Sequence, residues 1–333
     1  MQIQKNIKLA KYTTFHIGGQ AKFFVEANSV QDVREAVDFA QNKKLKIFVL
    51  GGGSNVLLPD RGIDGLVIKM DIGGIKFNSD LVSIGAGEKW DKVVAKSIAR
   101  DFGGIENLSL IPGTVGGAVY QNIGAYGAEL KDVLDSVEVF DTDSRSIKQL
   151  SNKECRFGYR DSIFQQPEGL NYVILKATFK LLKHFEPNLK YQDLIKYFEN
   201  KAPTLSEIRK VVIKIRKAKL VYPNNSIGTA GSFFKNPIVA QKQFNKIIKE
   251  HSNIKGIEIG EGQFKLFAGQ LVELVGWKGR RIGNVGASEK HSMVLISYRG
   301  GKALDIVNLS NSIISSVEDR FGVILEPEIK IMA

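Results

Sequence analysis

Glycines and small polar residues with the chemistry of an anion site crowd one stretch, residues 111–127, which reads IPGTVGGAVYQNIGAYG. Glycine lacks a Cβ, so its backbone N–H can approach a ligand closely. Successive N–H groups can also form a concavity that binds anions. Every glycine of the stretch except Gly113 stands beside Ile, Val, Ala or Tyr, which pack, whereas a flexible linker lacks such anchors. This stretch alone fits two interpretations equally well: a packed loop around a phosphate-bearing ligand, or tight turns in an irregular domain.

A second glycine-rich segment, GGGSNVLL at residues 51–58, directly follows a predicted strand. Ligands favour this place, the carboxyl end of a strand in an α/β unit. The dinucleotide-binding fingerprint G-x-G-x-x-G is absent, because Gly85 and Gly87 begin it but Trp90 stands where the third glycine belongs. There is no Walker A lysine either. A dinucleotide would therefore need a different cradle.

The pattern around the second segment predicts a β-α-β unit. Apolar runs predict strands over residues 22–27, 46–50 and 65–70, the second of them short and buried. Ser29 is a favourable N-cap for a helix between the first two strands. The apolar face of that helix would consist of Val33, Ala36, Val37 and Ala40.

Further strands are predicted downstream of this unit. Their patterns cover residues 81–86, 136–141, 172–180 and 323–332, with the last strand interrupted at Pro327. Strands and helices alternate along the chain, which indicates packed α/β layers.

Composition excludes several classes of protein. The 333 residues are 43% hydrophobic, enough for a core in two or three domains. The single cysteine, Cys155, rules out an internal disulfide framework, and we expect it to be buried and unreactive. No metal site is expected, because the four histidines lack paired ligand spacing. The N-terminus has no apolar signal core and no window resembles a membrane span, so we expect a cytoplasmic protein without membrane insertion.

The net charge of +12 favours an anionic partner: nucleic acid, an acidic membrane or an anionic small molecule. The excess is densest over residues 209–219, where a capping box of Thr204 and Glu207 precedes a basic amphipathic helix. Its apolar positions are Ile208, Val211, Val212 and Ile215. No nucleic-acid motif with interleaved aromatic residues occurs there, so we expect a solvated basic face and no nucleic-acid partner.

Eight segments, in order and at family spacing, resemble the UDP-N-acetylenolpyruvoylglucosamine reductase family across nearly the whole chain. They are residues 13–19, 51–58, 85–90, 111–127, 156–164, 230–237, 283–291 and 325–328. The segment LKYQDL, which contains Tyr191, resembles the tyrosine loop of one subfamily. Thr13 stands where an asparagine is usual, and this departure removes no group that the family's reaction needs.

The resemblance implies an α+β chain with an FAD-binding fold of the vanillyl-alcohol oxidase (PCMH) type. The FAD-binding part would comprise two α/β subdomains, residues 1–70 and 71–218. A C-terminal α/β substrate-binding domain would follow over residues 219–322. The final strand, residues 323–333, would carry a catalytic glutamate and return to the FAD-binding part.

The family's reaction belongs to peptidoglycan precursor synthesis, and so to cell-wall growth, cell shape and division. NADPH reduces bound FAD, and the flavin passes hydride to the enolpyruvyl double bond of UDP-N-acetylglucosamine enolpyruvate, giving UDP-N-acetylmuramate. The resemblance thus implies an NADPH-dependent flavin oxidoreductase, and we expect a monomer. Anionic ligands of this kind would also account for part of the positive charge.

Three residues match the family's catalytic positions. Arg160, in the run YRDSIF, would stabilise the enolate-like charge, because a guanidinium is always charged and holds both carboxylate oxygens. Glu328 would share that charge when it is protonated or paired with Arg160. Ser232 would give a proton to the carbanion, which requires activation because a hydroxyl is a weak acid. Glu326, on the other side of Pro327, would be an ordinary strand-edge residue.

The resemblance also implies the residues that touch the ligands. The flavin pyrophosphate would lie on the two glycine-rich segments, at Gly51, Gly52, Gly53, Ser54, Asn55, Val56, Gly113, Thr114, Gly116, Gly117, Asn122, Gly124 and Ala125. The substrate would be contacted by Tyr191, Lys219, Asn236 and His291. Substrate binding would close the loop that carries Tyr191.

Two other hypotheses remain open from the sequence. A flavoprotein oxidase or dehydrogenase of the same fold group, acting on another substrate, would lack the set of Arg160, Ser232 and Glu328. A nucleic-acid-binding protein, suggested only by the charge, would bind generic DNA with strong salt dependence.

Overall fold

Helices and strands are mixed along the chain in the computed structural model, which describes residues 1–199 and 202–332. The strands are β1 Gln4–Lys8, β2 Gln20–Ala27, β3 Lys46–Leu50, β4 Val56–Leu57, β5 Ile63–Met70, β6 Ile75–Asn78, β7 Leu81–Gly85, β8 Gly124–Ala125, β9 Ala128–Glu129, β10 Leu134–Asp141, β11 Ser146–Ser151, β12 Tyr172–Lys180, β13 Ile227–Gly228, β14 Ile238–Ala240, β15 Gly256–Gly260, β16 Gln263–Leu266, β17 Arg281–Ile282, β18 Val285–Ala287, β19 Leu295–Tyr298 and β20 Lys330–Ile331. The helices are α1 Val30–Asn42, α2 Trp90–Ile98, α3 Val115–Tyr120, α4 Gln192–Tyr197, α5 Leu205–Lys219, α6 Gln241–Glu250, α7 Ala268–Leu274 and α8 Ala303–Phe321. Of the helices in these described ranges, none is long and apolar enough to cross a lipid bilayer.

The chain divides into two compact units. The first unit consists of Met1–Ile7, Ala21–Gly52 and Ile63–Lys217, and the second consists of Lys8–Gln20, Gly53–Gly62 and Ala218–Ala333. Each unit is assembled from separate stretches of sequence, so its limits do not follow chain order. The domain limits expected from the resemblance, at residues 70, 218 and 322, stay a prediction.

The first unit contains a sheet of order β1-β2-β5-β3, in which β2, β5 and β3 run parallel. Helix α1 connects β2 to β3 and packs on β3 and β5. Ser29 caps this helix, because its hydroxyl accepts the Asp32 N–H at 3.1 Å and the Asp32 carboxylate accepts the Ser29 N–H at 3.0 Å. The predicted β-α-β unit is confirmed, and the apolar face of α1 is fully buried at Val33, Ala36, Val37 and Ala40.

The predicted burial of β3 is wrong, although the strand itself is confirmed. β3 lies at one end of the sheet order, next to β5. The Val49 side chain is consequently 45% exposed. An apolar run does not show whether a strand has one neighbour or two, so edge and central positions look alike in the sequence.

The second sheet of the first unit is antiparallel, with the order β11-β10-β12-β7-β6. It confirms the strands predicted over residues 81–86, 136–141 and 172–180, with ends that differ by at most two residues. Helix α2 follows β7, and its Trp90 is buried, with Nε1 donating to the Leu108 carbonyl at 2.9 Å. Helix α3 packs on β7 and β12.

Helix α5 has the predicted capping box. The Glu207 N–H donates to Thr204 Oγ1 at 3.3 Å, and the Glu207 carboxylate accepts the Thr204 N–H at 2.8 Å. The expected basic face is not solvated throughout, because both Nη atoms of Arg209 donate to the Asp91 carboxylate, at 2.7 and 2.8 Å. Asp91 is in the first turn of α2, so this ion pair joins α5 to α2.

The second unit contains an antiparallel sheet of order β13-β19-β18-β17, a smaller sheet of order β14-β16-β15, and the parallel pair of β20 with β4. Helix α8 packs on β18 and α7, and their apolar faces form the core of this unit. The strand predicted over residues 323–332 is wrong in length, since regular pairing is limited to β20. Pro327 has no N–H to give to a ladder, and it forms an isolated bridge with Phe234.

Candidate functional site

The two glycine-rich segments meet within the first unit. A Cβ added to Gly51 would lie 2.7 Å from Thr114 Oγ1, and one added to Gly52 would lie 2.7 Å from Gly113 Cα. Thr114 is buried, and within residues 1–199 and 202–332 its Oγ1 has no hydrogen-bond partner. A buried hydroxyl without a partner is costly. The backbone of Gly51 and Gly52 thus lies close to a buried Thr114 hydroxyl that has no hydrogen-bond partner among the described residues. This arrangement fits a bound polar ligand.

The start of α3 is anchored on the end of β7. The Val115 N–H donates to the Glu88 carbonyl at 2.9 Å, and the Gly116 N–H donates to the Ala86 carbonyl at 2.8 Å. A Cβ on Gly116 would lie 3.1 Å from the Ala86 Cβ. The glycine at 116 is thus explained by close packing in the protein, and its expected cofactor contact stays a prediction.

The rest of the second glycine-rich segment, from Gly53 onward, belongs to the second unit. Gly53 has φ 64, and a Cβ there would lie 1.9 Å from the Tyr12 carbonyl oxygen. Asn55 Nδ2 donates to the Glu328 carbonyl at 3.3 Å. The Asn55 carbonyl accepts the Lys330 N–H at 3.0 Å. Asn55 therefore fixes the backbone of the segment that carries Glu328.

Arg160 lies in a tight turn of the first unit. Gly158 and Asp161 exchange N–H···O bonds of 3.0 and 3.4 Å, which leaves Tyr159 and Arg160 as the two central residues. Arg160 has φ 55, in the left-handed region, which costs a non-glycine residue about 1–2 kcal/mol. Its Nη2 donates to the Gly124 carbonyl at 2.5 Å. Strain of this kind, held in place by surrounding contacts, is typical of functional sites.

Gly124 and Ala125 form β8, which pairs with β9 in a short hairpin. A Cβ on Gly124 would lie 2.9 Å from Arg160 Nη1. The missing side chain at position 124 therefore makes room for the guanidinium. Sequence reasoning expected Gly124 to touch the cofactor and did not connect it with Arg160.

Tyr191 lies against the other end of the glycine-rich stretch. Its ring meets the Tyr126 ring edge-on, with centroids 5.1 Å apart at 80°. Asn107 Nδ2 donates to the carbonyls of Tyr126 and Asn188, both at 2.8 Å, and so ties the two segments together. Tyr191 is 41% exposed. It is accessible to a ligand on the surface of the first unit.

Ser232 and Glu328 lie on adjacent extended segments of the second unit. The Glu328 N–H donates to the Phe233 carbonyl at 2.7 Å, directly beside Ser232. On the other side, the Phe233 N–H donates to the Met293 carbonyl at 2.8 Å, and Ser232 forms a bridge with Val294. Both predicted catalytic residues are half-buried. The fold thus brings together two residues that are far apart in sequence.

Glu326 differs from Glu328 in its surroundings. Its side chain is 74% exposed and lies 3.8 Å from Lys235 Nζ. An ion pair in this setting contributes little to stability. The exposure agrees with the expectation that Glu326 is an ordinary surface residue.

His291 is a buried imidazole with one ring nitrogen that makes no hydrogen bond within residues 1–199 and 202–332. Burial, followed by the positive charges of Lys219 and Lys278, lowers the pKa of the imidazole below its usual value. Its Nδ1 is buried and has no hydrogen-bond partner among the described residues. A neutral imidazole with an unused nitrogen suits a polar ligand, which supports the predicted substrate contact without testing it.

Two predicted substrate contacts remain, Asn236 and Lys219. Asn236 Oδ1 accepts the Ala268 N–H at 3.0 Å, which orients the side-chain amide. Lys219 is exposed at the end of α5. Arg216, three positions before it, has a buried Nε without a partner in the part of the chain that the structure describes. Sequence reasoning missed Arg216, because a run of basic residues hides which cation is buried.

The structure therefore forms two groups of candidate residues. Arg160 and Tyr191 lie against residues 122–126 in the first unit, and Ser232 and Glu328 lie side by side in the second. Among residues 1–199 and 202–332, no three His, Cys, Asp or Glu side chains gather in a way that could hold a metal ion.

Comparison with known proteins identifies both halves of the chain. Residues 21–148 match the family model for an FAD binding domain. Residues 222–332 match the family model for the C-terminal domain of UDP-N-acetylenolpyruvoylglucosamine reductase. A curated UDP-N-acetylenolpyruvoylglucosamine reductase from Flavobacterium johnsoniae is 38% identical over 341 residues and is covered completely, as is this chain. The enzyme of the same name from Pseudomonas aeruginosa is 40% identical over 336 residues, with 98% of both chains covered.

Solved structures agree with the fold. The crystal structure of UDP-N-acetylenolpyruvylglucosamine reductase from Thermus caldophilus matches with a TM-score of 0.71 and 24% identity, over all of both chains. 6-Hydroxy-D-nicotine oxidase from Arthrobacter nicotinovorans matches with a TM-score of 0.54 and 12% identity, covering 97% of this chain and 86% of that one, which shows the fold alone. The predicted α+β architecture, an FAD-binding fold of the PCMH type with a C-terminal domain, is confirmed. The resemblance of the eight segments is confirmed as well: the chain belongs to the UDP-N-acetylenolpyruvoylglucosamine reductase family and is an FAD-dependent oxidoreductase.

Proposed function

We propose that this protein reduces UDP-N-acetylglucosamine enolpyruvate to UDP-N-acetylmuramate at the expense of NADPH, in the cytoplasmic synthesis of peptidoglycan precursors. The observation that carries the proposal is identity of 38–40% over essentially the full length of reductases with this name. The reaction would serve cell-wall growth and, through it, cell shape and division. We further propose a monomer without nucleic-acid partners.

The FAD would be held by the glycine-rich segments, at Gly51, Gly52, Gly53, Ser54, Asn55, Val56, Gly113, Thr114, Gly116, Gly117, Gly124 and Ala125. Two observations support this assignment: the Cβ-free approach of Gly51 and Gly52 to Gly113 and Thr114, and the unpartnered hydroxyl of Thr114. When bound, FAD supplies the relay of a hydride from NADPH to the enolpyruvyl double bond. Backbone N–H groups and a buried hydroxyl suit a pyrophosphate.

Arg160 would hold the substrate carboxylate and the negative charge that develops on it. Its guanidinium is charged at any working pH and matches the two oxygens of a carboxylate. The contact with the Gly124 carbonyl restricts the guanidinium before any substrate arrives. Groups that are oriented in advance stabilise a developing charge most effectively.

Ser232 would deliver a proton to the carbanion, and Glu328, in its protonated form, would share the developing charge. Their adjacent backbone segments support action on one small group. Lys219, Asn236 and His291 would contact the substrate, with Lys219 or Asn236 lowering the cost of the serine anion. Tyr191 would close over the nucleotide part of the substrate.

A steady-state assay tests the proposed reaction. The purified protein should be yellow and release FAD on denaturation. It should oxidise NADPH rapidly only when UDP-N-acetylglucosamine enolpyruvate is present, and form UDP-N-acetylmuramate in equal amount. A colourless protein that cannot be reconstituted with FAD would refute the proposal.

The proton-donor role predicts a clear separation of the two half-reactions. Replacing Ser232 with Ala should leave flavin reduction by NADPH unchanged, and should slow substrate reduction by about 10²-fold or more, the usual worth of a positioned acid. Anaerobic rapid mixing measures each step separately. An equal fall in both steps would show that Ser232 is not the proton donor.

A further inference from the structure

Asn122 has no contact with solvent and lies in the middle of a hydrogen-bond network. The residue is 0% exposed and has φ 47. Its Nδ2 donates to the Gly158 carbonyl at 2.9 Å and to Glu129 Oε2 at 3.0 Å. Its Oδ1 accepts the Lys131 N–H at 3.0 Å. The side-chain amide is therefore satisfied within the protein, which leaves little reason for it to bind the cofactor.

One of these bonds reaches the turn that carries Arg160. Gly158 is the first residue of that turn, so the hydrogen bond from the Asn122 amide fixes the backbone where the turn begins. The Asn122 carbonyl also accepts a long bond from Arg160 Nη1, at 3.5 Å. Asn122 thus contacts both the backbone of the turn and the guanidinium that the turn presents.

Neighbouring bonds join the same two segments. The Ser162 hydroxyl donates to the Tyr120 carbonyl. Gln165 Nε2 donates to the carbonyls of Tyr120 at 3.2 Å and Arg160 at 3.1 Å. The segment over residues 158–165 is therefore attached to the middle of the glycine-rich stretch, and Asn122 supplies the fully buried link.

The partners of Asn122 require an amide. Two acceptors, the Gly158 carbonyl and Glu129, face Nδ2, and one donor, the Lys131 N–H, faces Oδ1. Aspartate has the same shape but cannot donate from either oxygen when ionised. Asn122→Asp would place a second carboxylate beside that of Glu129. Repulsion between the two like charges raises the pKa of one of the two carboxyl groups.

We infer that Asn122 is a positioning residue, whose side-chain amide fixes the strained turn so that Arg160 points at the substrate carboxylate. This inference rests on the proposed function, because it explains the orientation of Arg160, whose catalytic role is itself proposed. It places Asn122 in the alignment of Arg160 instead of in contact with FAD. A displacement of about 1 Å in such a group can cost about 10²-fold in rate.

The test compares the two half-reactions of the holoenzyme in wild type and Asn122→Asp. FAD content and flavin reduction by NADPH should stay within about twofold of wild type. At alkaline pH, reoxidation of the reduced flavin by UDP-N-acetylglucosamine enolpyruvate should fall by about 10²-fold. The rate should recover as the pH is lowered, because the introduced carboxyl group regains a donor when it is protonated.

A second change should shift the pH dependence of the variant. When Glu129→Gln is added to Asn122→Asp, the introduced carboxyl group loses its like-charged neighbour, so it should gain its proton, and reoxidation should recover, only at lower pH than in Asn122→Asp alone. Asn152→Asp serves as the matched control. Asn152 Nδ2 also donates to two carbonyls of the first unit, those of Lys131 and Leu134, but it does not hold the Arg160 turn. This control should lower the melting temperature without changing the ratio of the two half-reactions.

The outcomes separate the inference from the proposed function. If wild-type reduced enzyme is not reoxidised by the substrate, the proposed function fails. If wild type is reoxidised and Asn122→Asp behaves identically at all pH values, the positioning role is wrong and the function stands. If Asn122→Asp does not fold, Asn122→Gly, which accepts φ 47 without strain, should show the same loss confined to reoxidation. Equal loss in both half-reactions, or loss of FAD, would overturn the inference.

Discussion

At the scale of single residues, two glutamates near the end of the chain differ in their surroundings. Glu326 and Glu328 flank one proline and look equivalent in the sequence. In the fold, the Glu326 side chain is 74% exposed, whereas Glu328 is half-buried beside Ser232. Residues two positions apart in an extended segment share a face, so strand periodicity does not distinguish the two carboxyl groups. The neighbours of each position distinguish them: Glu326 lies near Lys235, whereas the Glu328 N–H bonds to the Phe233 carbonyl.

This difference gives a matched pair of variants. Glu328→Gln should slow substrate reduction by about 10²-fold or more, because an amide cannot give up a proton to the developing charge as a protonated carboxyl group can. Glu326→Gln should retain wild-type activity, since an exposed ion pair contributes little. Rapid-mixing rates for substrate reduction measure both effects. Equal rates in the two variants, or a larger loss at position 326, would show that the catalytic glutamate is misassigned.

His291 gives a prediction about pH and stability. Because its pKa in the folded protein is lowered by burial and by Lys219 and Lys278, the folded state resists protonation. Below the ordinary histidine value of about 6.5, the unfolded chain binds a proton that the folded state does not, so stability falls as pH decreases through that range. Above it both states are neutral and the contribution is fully present.

Replacing His291 with Gln should therefore reduce the loss of melting temperature between about pH 7.5 and about pH 5.5, a window that brackets the ordinary histidine pKa. Thermal unfolding of the FAD-loaded protein at the two pH values measures the difference. An unchanged pH dependence would mean that other groups dominate acid destabilisation in this range.

Some properties of single residues can be predicted from the sequence without knowledge of the fold. Cys155 was expected to be buried and unreactive; it is fully buried, and burial raises the pKa of its thiol to about 12. Asn122 shows the opposite case, because its partner Gly158 is 36 positions away in the chain. A contact at that separation depends on how the turn and the hairpin fold together, and no local pattern in the sequence predicts it.

At the scale of elements, the close approach of two backbone segments, at Gly52 and at Gly113, explains the glycines. A Cβ on Gly52 would lie 2.7 Å from Gly113 Cα, and backbone cannot move away as a flexible side chain can. Gly73, with only Glu88 Oε1 at 3.4 Å from its Cβ position, has room for alanine.

Gly52→Ala should therefore weaken FAD binding by at least about tenfold, or about 1.4 kcal/mol. Gly73→Ala should bind FAD as wild type does. Flavin content after purification and titration of the apoprotein with FAD measure both variants. Full flavin occupancy in Gly52→Ala would argue against the cradle formed by the two segments.

Elements determined by local sequence were predicted well. The N-cap at Ser29 and the capping box of Thr204 with Glu207 depend on residues three positions apart, and both formed as expected. The edge position of β3 and the short length of β20 were not foreseen, because both depend on which distant strand pairs with them. The hydrophobic periodicity of a segment predicts which of its faces is buried, but it does not predict which strands pair with it.

At the scale of the whole molecule, family membership came from eight weak segments in order, and relatives at 38–40% identity confirm it. Each compact unit combines separate stretches of the chain, an arrangement that composition and periodicity did not reveal. The net charge of +12 suits anionic nucleotides in the proposed site. Binding to generic DNA that weakens steeply with salt would instead favour the nucleic-acid hypothesis.

The central claim is that reduced flavin in this protein passes its hydride to UDP-N-acetylglucosamine enolpyruvate. The most direct measurement mixes chemically reduced enzyme with that substrate in the absence of oxygen and of NADPH. We predict that the visible absorbance of oxidised flavin returns as one equivalent of UDP-N-acetylmuramate forms. Flavin that stays reduced until oxygen is admitted, with no product formed, would contradict the account and favour an oxidase acting on another substrate.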